Sequence, residues 1–95
     1  MNMKETQQAM ASNETMFVDG FDDAIIGLDT SGEVFRVIYD RDRMIDMLRY
    51  RDGMDTEEAI EYLEYNVWGA YVGEGTPIYA HEGGKERVLE LMSQL

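Results

Sequence analysis

The sequence predicts an α+β domain: a three-stranded, mainly antiparallel sheet packed against helices in the order β-β-α-α-β-α. Three observations lead there. Residues 33–39 alternate from side to side and are rich in β-branched and aromatic side chains, the mark of a strand. Residues 41–51 and 56–67 carry apolar stripes at helical spacing, each between a start signal and a stop signal. Gly69, Gly73 and Gly75 then lead into a short β-forming run, and Gly83-Gly84 precedes a last helical pattern.

Residues 1–16 are polar and have no apolar period, so they are read as a flexible arm ahead of a single domain over 17–95. Residues 23–28 form the first strand, with Ala24, Ile25 and Ile26 as a buried run. Asp29-Thr30-Ser31-Gly32 has turn chemistry, because Asp and Ser side chains bond nearby backbone and Gly tolerates positive φ. The returning strand sets Val34, Arg36 and Ile38 on one side and Phe35, Val37 and Tyr39 on the other. Asp40 caps the first helix, whose stripe is Met44, Ile45, Met47 and Leu48, and Gly53 takes the left-handed position that ends it. Asp55 and Glu58 make a capping box for the second helix. Its core stripe is Ala59, Ile60, Leu63 and Val67, with Glu57, Glu61 and Glu64 on another face. The third strand covers 76–80, with Pro77 at its first residue or on an edge, since proline cannot donate to a ladder. A closing helix over 85–95 turns Val88, Leu89, Met92 and Leu95 inward. The expected core joins Ile25, Val37, Ile45, Leu48, Ile60 and Leu63.

Ninety-five residues are enough for one modest core. There is no cysteine, so neither disulfides nor thiolate metal sites contribute. No apolar run approaches the roughly 18 residues of a membrane span, and residues 1–15 lack the basic start and apolar stretch of a secretory signal. A cytoplasmic setting is expected. Twenty acidic residues against eight basic ones give a net charge of −12, which repels nucleic acid and anionic membranes. Neither is an expected direct partner. The charge is uneven: residues 56–75 hold five glutamates and no base, whereas 41–55 hold four arginines and four aspartates and sum to zero.

Most chemistry is argued against by residue type and spacing. The loop 69–76 lacks the Lys-Ser/Thr pair of a phosphate cradle and runs helix-to-strand, so no helix N-terminus would face the phosphate. Asp19, Asp22, Asp23, Asp40 and Asp42 lack the rhythm of a calcium loop, and His81 has no histidine partner one turn away. Caps and solvated turns account for these acids. Serine occurs only at Ser12, Ser31 and Ser93, and a catalytic triad would need Ser31, which sits in the predicted turn. No catalytic residue, cofactor or metal is expected, and the chain is read as a non-enzyme.

One resemblance enters here. The residues that carry it are Phe17-Val18-Asp19-Gly20-Phe21-Asp22-Asp23-Ala24-Ile25-Ile26-Gly27, Tyr39-Asp40, Arg51-Asp52-Gly53-Met54, and the run from Glu57 to Pro77. That run contains Tyr65-Asn66-Val67-Trp68-Gly69-Ala70-Tyr71-Val72-Gly73-Glu74. Over residues 17–80 the chain resembles a widespread group of small tailed-phage proteins with an EYxEYNVxGAYVGExTP-type segment. The resemblance implies a phage accessory role in the cytoplasm of an infected host cell. No activity is established for that group, so it brings no catalytic residues with it.

The remaining signal is a surface. Tyrosine and tryptophan anchor protein interfaces, and an acidic rim around them suits a basic partner. Glu57, Glu61, Glu64, Tyr65, Trp68 and Tyr71 are therefore the expected partner-binding residues. Three function classes follow. The first is a protein-binding module that inhibits or modulates a host or phage protein. The second is a DNA mimic acting on a host defence nuclease, with Glu57, Glu61 and Glu64 imitating a row of phosphates. The third is a small-molecule or metal binder. Exposed sheet edges and a surplus of aromatics also predict a homodimer.

Overall fold

The structure, a computed structural model, describes residues 14–95. A 3-10 turn at Asp22–Ala24 leads into β1 (Ile25–Asp29) and β2 (Arg36–Asp40). Two helices follow, α1 (Arg41–Asp52) and α2 (Thr56–Leu63), and α2 runs on into a π-helical turn at Glu64–Trp68. β3 (Ile78–Ala80) and α3 (Lys85–Met92) complete the chain. The α+β class and the element order are those expected.

β2 is the central strand, between β1 and β3. β1 pairs with it antiparallel, Leu28 opposite Val37, with an irregularity between Ile25 and Gly27 that sets Ile26 out of register. β3 pairs with it parallel, Ile38 opposite Ile78 and Tyr39 opposite Tyr79. The sheet is therefore mixed: the β1–β2 pair is antiparallel, as expected of a hairpin, and β3 adds a parallel edge. The direction of β3 follows from its connection: two helices and a loop separate it from β2, long enough for the crossover that parallel strands require. The hairpin loop, residues 30–35, is longer than the expected four-residue turn. Its first bond is the expected kind, Ser31 N–H donating to Asp29 Oδ1 at 2.9 Å. That hydroxyl-bearing neighbour, through its side chain and its backbone N–H, holds the Asp29 carboxyl below its usual range.

The helix boundaries are built as the residues dictate. Asp40 accepts from the N–H groups of Asp42 and Arg43, at 3.0 and 3.3 Å, two donors that the first turn leaves free. Gly53 closes α1 at φ 72°, where a side chain would be strained, and its N–H reaches Leu48 O. Glu58 N–H donates to Asp55 Oδ1 at 2.8 Å and Asp55 N–H to Glu58 Oε1 at 3.3 Å, completing the capping box.

The core lies between the sheet and the α1–α2 pair. Phe21, Ala24, Val37, Tyr39, Met44, Leu48, Ala59 and Leu63 form one buried cluster. Ile25 and Ile45 pack on it half-buried, as do Val67 and Trp68. Ile60, expected as one of the core residues, is half-buried and does not belong to the cluster. The rotation of α2 brings Ala59 and Leu63 under the sheet instead. Tyr39 and Tyr79 stack across the parallel pair with ring centroids 5.9 Å apart. Val18 N–H donates to the Tyr39 hydroxyl at 2.8 Å. Burial raises the pKa of both phenols, that of Tyr79 to about 12.

Two expectations at the chain's ends need correction. Of the arm placed over 1–16, residues 1–13 lie outside the described residues, but 15 and 16 are tied to the fold. Thr15 Oγ1 donates to Phe35 O at 3.0 Å and Met16 N–H to Gly75 O at 3.2 Å. A Cβ on Gly75 would collide with the Glu14 backbone, so this close approach requires glycine. The closing helix forms, but its expected inward face points out. Val88, Leu89, Met92 and Leu95 are all exposed. Helical periodicity shows that a face is apolar; it does not show that the domain has a surface to receive it.

Candidate functional site

The second helix and its exit carry the site. Opposite its buried stripe, α2 presents an open groove of about 670 Å³. Met54, Glu58, Glu61, Tyr62, Glu64 and Tyr65 line it, with Asn66 at one end. Met54, Glu58, Glu61, Tyr62 and Tyr65 recur at helical spacing and share one side. The groove thus has a thioether and two phenol rings among three carboxylates. Tyr65 is 90 % exposed and Tyr62 43 %.

The π turn shapes the groove's far end. A π turn shifts the hydrogen-bond ladder by one residue, which releases a carbonyl from its usual i+4 donor. Asn66 adds a side-chain bond beside that turn: its amide donates to Tyr62 O, four residues back, at 3.0 Å. Asparagine at this place satisfies backbone, as its position at a helix end predicts. The wider turn carries Tyr65 outward while Val67 and Trp68 return to the core.

The six expected partner-binding residues separate. Glu61, Glu64 and Tyr65 meet in the groove. Glu57 is exposed on α2 outside the groove lining, and Tyr71 is 77 % exposed on the loop beyond. Trp68 turns the other way: it is half-buried against the core with the Arg41 guanidinium 3.9 Å from its ring centroid. Its indole nitrogen is buried without an acceptor among the described residues. Met54, Glu58 and Tyr62 were missed, although their spacing to Tyr65 is legible as a stripe.

The electrostatics are lopsided. None of Glu57, Glu61 and Glu64 enters an ion pair among the described residues. The arginines of α1, by contrast, are committed. Arg41 covers Trp68, and Arg43 Nη1 donates to Asp23 O at 3.5 Å. Arg49 pairs with Asp46 at 3.7 Å. Arg51 donates to Gly20 O at 2.6 Å and pairs with Asp52 at 3.2 Å. Two of the acids considered as metal ligands have other work too: Asp40 is a cap, and Asp42 meets both His81, at 3.2 Å, and Arg87, at 3.6 Å.

No family model, characterised protein or solved structure matches the chain. Among the described residues, no helix is long and apolar enough to cross a membrane. What fold and site define together is a small α+β protein with an acidic and aromatic groove on one helix.

Proposed function

We propose that this protein is a small, non-enzymatic protein-binding module of the phage accessory type. It docks through the α2 groove on a basic surface of a host or phage protein, in the cytoplasm of the infected cell, and so inhibits or modulates that protein. One observation carries the reading: among the described residues, Glu61 and Glu64 have no ion-pair partner and stand beside exposed Tyr62 and Tyr65, while the arginines of α1 are all engaged within the fold. Aromatic anchors supply contact area at low entropic cost, and uncompensated charge selects and steers the partner.

The test compares affinity capture from host lysate by the wild type, by Tyr62→Ala/Tyr65→Ala and by Glu61→Lys/Glu64→Lys. Both variants alter exposed side chains and keep the wild-type circular dichroism. The aromatic pair loses more than about tenfold in affinity for the captured protein, and the charge reversal somewhat less at physiological salt. A partner retained equally by all three proteins overturns the assignment of the groove.

The second reading, a DNA mimic, draws support from the row of exposed carboxylates at Glu57, Glu61 and Glu64, one turn apart. It requires that charge reversal alone abolish binding, that the aromatic variant stay active, and that affinity fall steeply with ionic strength.

A further inference from the structure

α3 touches the body along one edge only. Arg87 reaches the Asp42 carboxylate at 3.6 Å, and Arg87 and Leu91, one turn apart, are half-buried. Lys85, Val88, Leu89 and Met92, spaced i, i+3, i+4 and i+7, make a second face, and all four are exposed. Leu95 extends it and is fully exposed. The acids of this helix, Glu86 and Glu90, fall on the opposite side. In a chain of twenty acids and eight bases, this face is apolar and cationic. Lys85 has no ion-pair partner among the described residues.

We infer that the α3 face of one copy docks into the α2 groove of a second copy, so that the chain associates head to tail and covers its own binding groove. The inference rests on the reading of that groove as a docking site and adds its regulation. The two surfaces are complementary in kind. α3 offers Val88, Leu89 and Met92 with one cation, Lys85; the groove offers Met54, Tyr62 and Tyr65 with Glu58, Glu61 and Glu64. No residue of α3 lines the groove within one copy. Pairing α3 with a second α3 would bury apolar surface but leave both Lys85 and the groove's acids uncompensated. Docking α3 in the groove brings those charges together. The contact is heterologous, so a pair of copies keeps one groove and one helix free for the next. A single eight-residue helix buries less than the roughly 1,200 Å² of a stable interface, so the association is weak and rises with concentration. At high local concentration self-association competes with the foreign partner; dilution frees the groove.

The test is complementation between two broken surfaces. Wild-type protein in sedimentation equilibrium shows a mass rising above 10.9 kDa as its concentration approaches about 1 mM, and less so in high salt. Leu89→Glu/Met92→Glu destroys the helix face and Glu61→Lys/Tyr65→Ala destroys the groove. Each variant alone stays monomeric, and their mixture forms a dimer that grows no further, because one intact helix meets one intact groove. A wild type that remains monomeric throughout overturns the inference, as does a mixture that stays monomeric. So does a groove variant that associates as wild type does, which would mean that α3 pairs with itself. Should a variant unfold, single cysteines decide, since the chain has none of its own. Leu89→Cys crosslinks to Tyr62→Cys faster than either crosslinks to itself; equal rates overturn the proposal. None of these measurements needs the foreign partner, so they can fail while the lysate capture succeeds.

Discussion

Leu63 and Ile60 are near neighbours on α2 with different surroundings. Leu63 is fully buried in the central cluster, while Ile60 is half-buried outside it. Truncating Leu63 removes apolar contact and leaves a cavity that rigid neighbours cannot close. Leu63→Ala should therefore cost about 2–5 kcal/mol, and Ile60→Ala about 1 kcal/mol, in urea unfolding. Equal costs would show that α2 is rotated from the register described. Both residues belong to the same apolar stripe in the sequence, so the stripe could be read and its deepest member could not. Which residue of a stripe is deepest depends on the angle at which the helix meets the sheet. That angle is set by packing and is not written at any one position. Trp68 illustrates the same limit. Its type suits an interface, but Arg41 and the core claim it.

At the scale of elements, what the chain states locally is what could be read from it. The Asp40 cap, the left-handed Gly53 and the Asp55–Glu58 box depend on residues five or fewer apart, and all appear as the sequence predicts. The π turn at Glu64–Trp68 has no such local code, because its extra residue is settled by Val67 and Trp68 returning to the core. Nor does a three-residue strand declare its direction. Asn66 is the one local mark the π turn leaves, through its bond to Tyr62 O. Asn66→Ala should lower stability by about 0.5–1.5 kcal/mol, the net worth of one hydrogen bond. It should also move the backbone amide resonances of residues 62–68 more than those of α1. Unchanged resonances there would mean that the bond does not hold the turn.

For the whole molecule, the joining of β3 to β2 sets an order of events. The β1–β2 ladder closes over a short loop, whereas Ile78 must find Ile38 from the opposite half of the chain. Closing the longer loop costs more chain entropy, and that cost is borne before the distant contacts repay it. The hairpin and the two central helices should thus assemble first, with the parallel strand arriving after the folding barrier. In stopped-flow measurements Val37→Ala should slow folding, while Ile78→Ala should leave the folding rate nearly unchanged and speed unfolding. An Ile78→Ala variant that folds more slowly in proportion to its lost stability would reverse that order. The segment that arrives last is also the first to leave. Brief detachment of β3 would free the loop that ends at Gly75, together with the N-terminal residues bonded to it, without dissolving the hairpin–helix core. Amide exchange should find its weakest protection along this seam, so a protease that samples such openings would cut the native protein there first.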